Sequence, residues 1–413
     1  MKTKTLLFLL FISTFHLYAE NFSAVNKGKI IFYNITSAAN LTLEVTYKGT
    51  DYDASLNEYS TAVVIPDSIE HLGKTYVVTT IGENAFRNCE RLSSVTVPAS
   101  VISIEKNAFS NCKGLNSVTL PASLGIIKQE AFSGCSGLLA FTLPTAIKVI
   151  TEKTFSGCSK LKNVLIPASV NMIEVQAFAG CAIDTLFIPA SVDYIDESSF
   201  IGCKNLMALN VDTLNKRFAS IDGLLFDKSI TELLRCGEGN IKVAIPDSVS
   251  KIGSYAFYGC DKLVSINLPD STKSIRSYAF SECTQLSTFT IPSTVLYLEF
   301  GAFMGCSGLI SITIPTSITT IGERTFYNCK TLPEITIPST VKEIGKQAFY
   351  GCVKMANVYV DQATPAICDE NSFDSRNTYG STLHVPTGAS LLYKGAIGWR
   401  VFYNVREDVH IAR

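Results

Sequence analysis

Histidine is scarce and scattered in this chain. Four occur in 413 residues, and past the first twenty only His71, His384 and His410 remain, near opposite ends. That leaves no Ser-His-Asp or Cys-His arrangement for nucleophilic catalysis. His-Glu-x-x-His, paired-carboxylate and Gly-rich phosphate-loop motifs are missing too. The 13 cysteines contain no Cys-x-x-Cys pair, the clustering that metal sites need. Asp51-x-Asp53-x-x-x-Asn57-Glu58 lacks the glycine and spacing of a calcium loop and reads as a solvated loop. Catalytic, cofactor-binding and metal-ligating residues are therefore expected to be none.

Neither sign of charge dominates. Leaving out Lys2 and Lys4, 33 of the 35 basic residues face 36 acidic ones, a net −3. Such a balance offers no electrostatic footprint for nucleic acid or an anionic membrane. Long apolar runs are also few. The exception is Leu6 to Phe15, interrupted only by Ser13 and Thr14, with Lys2 and Lys4 before it and Leu17-Tyr18-Ala19 after it. This pattern reads as a signal peptide over residues 1–19, with the mature chain starting near Glu20. The run is too short to span a bilayer. No cysteine follows it before Cys89, which argues against a lipoprotein anchor, and no apolar tail closes the C-terminus. A secreted, periplasmic or cell-surface location is expected, with no membrane insertion once the signal is cleaved.

What the chain does have is a repeat. Phe86, Phe109, Phe132, Phe155 and Phe178 are each 23 residues apart. After Phe200 and a gap the series resumes at Phe257, Phe280, Phe303, Phe326 and Phe349. Three residues after each comes a cysteine, so that all but Cys236 and Cys368 belong to the pattern. A fixed period in the twenties signals a solenoid with one coil per repeat, and this overrides the multi-domain prior that the length alone would suggest. Within one unit, Cys112-x-x-Leu115-x-x-Val118-x-Leu120-Pro121 gives the period-two alternation of a short strand, ended by a proline that cannot donate. The Ala-Phe pair is predicted on a short helical turn with the ring in the core. Gly or Asn precedes every cysteine of the series except Cys283, where Glu282 stands. The position is thus predicted to be left-handed. Each buried phenylalanine contributes roughly 2–3 kcal/mol, and a dozen coils at about 4.8 Å make a body on the order of 55 Å long. An unbroken cysteine ladder would have to pair arbitrarily to form disulfides, so small buried thiols are the reading preferred here.

The motif Phe-x-x-Cys-x-x-Leu-x-x-Val-x-Ile-Pro-x-Ser-Val-x-x-Ile, over about residues 63 to 374, resembles the BspA-like class of bacterial leucine-rich repeats. The segment Thr382-Leu-His-Val-Pro386, with Tyr393 and Gly398-Trp399, is similar to a closing segment of such proteins. The resemblance implies a leucine-rich-repeat right-handed superhelix in a secreted or surface protein, in some members an adhesin for host matrix proteins. It carries over no catalytic or ligand residue.

The ends and one insertion depart from the repeat. Residues 20–78 are expected to form a β-rich N-terminal cap, with strands over 29–35 and 41–47 and a hairpin turning at His71-Leu-Gly-Lys74. The solenoid is assigned to 79–374. The 57-residue step from Phe200 to Phe257 implies an insertion, read as a hairpin within 212–243 that turns at Asp222-Gly223. Residues 375–413 form the C-terminal cap.

One surface row suggests a partner. Seven residues after most cysteines stands a strand-forming Thr or another polar residue. Leu165 breaks that row, as does Phe187 in the shortened repeat. With Leu139 nearby they make a candidate apolar partner-binding patch. The alternative is that the 212–243 insertion folds over them. Four sequences, at Asp67-Ser68-Ile69, Asp212-Thr213-Leu214, Asp247-Ser248-Val249 and Asp270-Ser271-Thr272, resemble acceptors for bacterial O-glycosylation, although three of them also fill turn positions of the repeat. The expected function is an adhesin-like protein-binding module, its partner a protein such as a host extracellular-matrix component. The alternative is an envelope scaffold binding a sibling protein or a glycan.

Overall fold

The computed structural model describes residues 21–49, 59–240, 242–374 and 378–408. The signal-peptide residues, the 51–58 loop and His410 lie outside them. The described chain winds as stacked coils, about 14 turns with almost no helix. Each regular coil has three sides. A long-strand side carries strands such as Ala140–Thr142 and Asn163–Leu165, and a short-strand side carries two-residue strands such as Val149–Ile150 and Met172–Ile173. The third side is a run of turns holding the Ala-Phe pair. Neighbouring coils pair in parallel, Phe141 opposite Val164 on one side and Ile150 opposite Ile173 on another.

The turn side differs from the helical turn expected there. Cys89 N bonds Phe86 O at 3.1 Å and Arg87 N bonds Asn84 O at 3.0 Å, both i→i+3. Two left-handed residues, Asn84 at φ 58° and Asn88 at φ 60°, stop these bonds from growing into a helix. The turns instead spend donors on the next coil: Phe86 N reaches Ala108 O at 2.7 Å and Asn88 N reaches Ser110 O at 2.8 Å. The residue before each cysteine of the repeat series is left-handed as predicted, including Glu282 at φ 60°. The second left-handed position, two residues before the phenylalanine, is filled by residues as unlike as Asn107, Lys153, Gln176 and Tyr255.

The core is a set of ladders. Rings stack from Phe86 through Phe200 and again from Phe257 through Phe373, with neighbouring centroids 4.8–5.9 Å apart. Beside them, all 13 cysteines are free and buried. Most regular-coil thiols donate to the phenylalanine carbonyl of the preceding coil: Cys112 to Phe86 O at 2.9 Å, Cys135 to Phe109 O at 3.0 Å, Cys283 to Phe257 O at 3.1 Å. A cysteine is small enough for the ladder and still supplies a donor, which alanine would not. Proline carbonyls open the next turn, as in Val101 N to Pro98 O at 3.2 Å. The hydroxyl two residues on staples that turn to the coil before it, Ser123 to Ala99 O at 2.8 Å and Ser271 to Val249 O at 2.7 Å.

At the N-terminal end the strands Phe22–Asn26, Lys29–Ser37 and Thr42–Thr46 run antiparallel in succession. Thr42–Thr46 then pairs in parallel with Lys74–Ile81, which leads into the short-strand side at Ser103–Ile104. The hairpin Ser68–His71/Lys74–Ile81 turns at Leu72 (φ 51°) and Gly73 (φ 72°), as expected. A left-handed leucine is costly, and Leu72 is 85% exposed, so its side chain contributes little packing. Leu72→Asn is expected to raise stability by about 1 kcal/mol. Urea denaturation checks this, and an unchanged or lower midpoint would overturn it. At the other end Asn357–Val360, Thr382–Val385 and Asn404–Glu407 extend the long-strand side. There the indole of Trp399 donates to Ala366 O at 2.9 Å.

The insertion is a hairpin, Phe218–Ile221 with Leu224–Asp227, turning at Asp222 (φ 50°) and Gly223 (φ 79°). It is wedged into the stack and does not hang from it. Leu225 and Phe218 pack with the core before it, Leu224 and Phe226 with the core after it, so the apolar interior is divided there. The following strand, Glu232–Arg235, pairs with the hairpin on one side and in parallel with Lys251–Ile252 on the other. It is therefore a coil of the stack, although it falls inside the 212–243 span assigned to the insertion. In this coil Cys236 takes the place of the phenylalanine, its N–H bonding Ala256 O at 2.7 Å as Phe257 N bonds Ala279 O. Arg235 fills the remaining space. Its guanidinium bonds Phe200 O at 3.0 Å, Tyr255 O, and Glu238 at 2.8 Å, and both partners of the ion pair are 2% exposed.

Candidate functional site

The outward positions of the long-strand side form the surface that the sequence singled out. Along Asn163–Leu165 and Thr185–Ile188 the half-buried Val164 and the buried Leu186 and Ile188 alternate with outward residues, among them Leu165 and Phe187, which are 65% and 55% exposed. They occupy equivalent places in neighbouring coils: Leu165 lies opposite Thr142, and Phe187 opposite Asn210. Leu139 is also exposed, at 56%. The register Ala140 opposite Asn163 puts it three residues from the row of Leu165, about 10 Å along the strand. Leu165 and Phe187 thus hold matching outward positions on successive coils whose strands are not hydrogen-bonded to each other, and Leu139 stands apart.

The hairpin does not cover the pair. It packs against the next coil, where Leu209 N bonds Gly223 O at 2.9 Å and Val211 N bonds the Ser220 hydroxyl at 2.9 Å. Gly223 is needed for that approach, since a β-carbon there would come within 2.7 Å of Ala208 Cβ. The strands Asn163–Leu165 and Thr185–Ile188 belong to separate hydrogen-bonded sheets. A shallow cleft of about 230 Å³ opens beside Leu165, lined also by Thr142, Asn163, Asp184 and Thr185. Met207, 46% exposed, lies four residues after its cysteine as Leu139 does, and so stands about as far from the row of Leu165 and Phe187.

The other sequence candidates sit elsewhere. His71 stacks on Phe22 with centroids 3.8 Å apart. At the far end His384 stacks on Tyr359 at 4.4 Å, between Asn357 and Asp408. Among the described residues, no group of three or more His, Cys, Asp and Glu is arranged to hold a metal ion. No helix among them is long and apolar enough to cross a membrane. Of the four glycosylation-like sequences, Ser248 and Ser271 spend their hydroxyls on the carbonyls of Ile230 and Val249, both at 2.7 Å. Ser68 and Thr213 are exposed.

No curated protein matches the chain. Among solved structures it is similar to a leucine rich cell surface protein of Faecalibacterium prausnitzii A2-165. That likeness is 29% in sequence, covers 83% of this chain and 95% of that one, and has a TM-score of 0.66. The pneumococcal vaccine antigen PcpA, 19% identical over 95% of this chain and 98% of its own, shares the fold with a TM-score of 0.68. The family model described as a BspA type leucine rich repeat region matches residues 79–207, 236–356 and 297–388. The internal stretch between its first two matches, 208–235, contains the wedged hairpin. With the repeat, the ladders and these matches together, the chain belongs to the family of BspA-type leucine-rich-repeat proteins.

Proposed function

We propose that this protein is a non-enzymatic binding module of the secreted or surface-attached kind, adhesin-like, whose partner is another protein. In this reading residues 1–19 are a signal peptide, 20–78 and 375–413 are caps, and the solenoid between them, interrupted by the hairpin within 212–243, presents the binding face. The observation that carries it is the Leu165–Phe187 pair, two large apolar side chains left exposed at matching outward positions of successive coils. Exposed apolar patches with polar surroundings mark partner sites, and clustered aromatic anchors dominate protein interfaces. The cell-surface description of the Faecalibacterium structure supports the location. Host matrix proteins are the first partners to test, and the alternative is an envelope scaffold that binds a sibling protein or a glycan.

Residues 20–413 would be tested by biolayer interferometry against fibronectin, fibrinogen, laminin, collagen and envelope glycans. Saturable binding to one matrix protein is expected, and Leu165→Asp/Phe187→Asp should weaken it by more than about tenfold, the loss of a hot spot. Both side chains are outside the core, so the variant should keep its circular dichroism. Binding that survives the double substitution removes the patch from the reading. Binding to glycans alone favours the envelope scaffold.

A further inference from the structure

Two consecutive coils beyond the hairpin leave the long-strand side open. Over residues 242–245 and 265–268 no main-chain N–H or carbonyl bonds another described residue, and neither segment belongs to a strand. The same coils are held at ordinary spacing on their other two sides. Lys251–Ile252 pairs with Glu232 and Leu233 before it and with Ser274 and Ile275 after it. The turn side is closed by Cys236 N to Ala256 O and Phe257 N to Ala279 O, both 2.7 Å. The coils diverge on one side only, and a cleft of about 660 Å³ lies between the two segments. A second cleft of about 300 Å³ flanks residues 242–244 on their other side, against the hairpin tip at Asp222 and Leu224. Burial still alternates along 242–245, with Val243 and Ile245 half-buried and Lys242 and Ala244 exposed, as in a strand.

We infer that the larger cleft is a docking site for an extended peptide segment of a partner protein, which pairs its main chain with the walls and sets a basic side chain against Asp247 and Asp270. Unpaired main-chain groups in a row are satisfied in full only by another extended main chain, the basis of strand addition. Every second side chain of the incoming strand would then cover the half-buried Val243 and Ile245, which favours small β-branched residues there. Asp247 and Asp270 stand just past the two walls, in successive coils, where other coils carry Ala99, Ala122, Thr145 or Ser293. No salt bridge among the described residues uses either carboxylate. Lys242 lies at the opposite end of its wall, so the cleft has a charge direction. This site is separate from the Leu165–Phe187 patch, two coils further along the stack, and does not depend on it.

The probe is a fluorescently labelled peptide, acetyl-Lys-Val-Thr-Val-Thr-Lys-amide, titrated into residues 20–413 and followed by anisotropy. Two control peptides carry N-methylated valines, or glutamate in place of lysine. Saturable binding is expected, at least about tenfold weaker for each control and for Asp247→Asn/Asp270→Asn protein. Leu165→Asp/Phe187→Asp should leave it unchanged, which separates this site from the patch. Hydrogen exchange adds a readout that needs no variant: the amides of 242–245 and 265–268 should exchange rapidly in the free protein and become protected with peptide. Absence of saturable binding, equal binding of the N-methylated peptide, or amides already protected in the free protein would each overturn the inference.

Discussion

Raising the pH under reducing conditions is expected to unfold the solenoid cooperatively between about pH 9 and about pH 10.5, because of its buried thiols. Burial pushes up the thiols of Cys135, Cys158, Cys181, Cys203, Cys283, Cys306, Cys329, Cys352 and Cys368, to about 12 for Cys203, Cys352 and Cys368. Cys260 is raised first by the neighbouring Cys236 thiol and then by burial. An unfolded thiol ionises near pH 8.5. Above that value the unfolded chain releases protons that the folded chain still holds, so stability falls as pH rises. Below it the thiols' contribution is complete. Each thiol that stays protonated costs the fold about 1.4 kcal/mol per pH unit in this window. Ten of them in one body amount to something on the order of 10 kcal/mol one unit above the onset, comparable with the whole stability of an ordinary domain. Far-UV circular dichroism and thiolate absorbance recorded against pH should change together. A fold that persists through about pH 11 while the thiols remain unreactive would refute the expectation.

Arg235→Ala is expected to cost about 3–5 kcal/mol, the usual loss when a buried ion pair is broken from one side. The substitution strands Glu238, whose carboxyl burial already pushes up and which Arg235 and the Gly202 N–H pull back. It also leaves the carbonyls of Phe200 and Tyr255 without this partner at the one coil where the ring stack is interrupted. The exchange Arg235→Met with Glu238→Leu should lose less than the single change, because no charge is left buried. Urea denaturation distinguishes them, read by circular dichroism for the whole chain and by the single tryptophan, Trp399, for the core beyond the hairpin. A loss below about 1 kcal/mol for Arg235→Ala would mean that the pair is dispensable.

The features legible in the sequence are those that repetition writes many times. The phenylalanine and cysteine spacing placed the two ladders, and the Gly or Asn before each cysteine marked a left-handed residue that even Glu282 adopts. Asp222-Gly223 and Leu72-Gly73 marked their hairpins through local turn chemistry. The second left-handed position escaped notice because stacking of the turns imposes it, and residues as different as Lys153 and Tyr255 comply. The same cause replaced the expected helical turn with bonds to the next coil. The wedge was illegible for a different reason: nothing in Phe218 or Leu224 says which half of the core each will join. At the candidate site, Leu165 and Phe187 were visible as exceptions to a polar row. Their freedom from the hairpin depended on Gly223 docking one coil further along. The cleft at 242–268 was not visible at all, since a missing hydrogen bond has no residue type.

The division of the core by the hairpin bears on how the molecule is made. Each regular coil bonds and stacks on its immediate neighbours, so a growing chain can be wound in order, one turn at a time, each new coil completing the turn donors of the one before it. The wedge gives that winding a natural halfway stop. Phe218 and Leu225 finish the first core, and Leu224 and Phe226 wait on the same hairpin as the seed of the second. A ribosome that has released residues up to the hairpin has therefore delivered a half-molecule with its own finished interior and a template for the remainder.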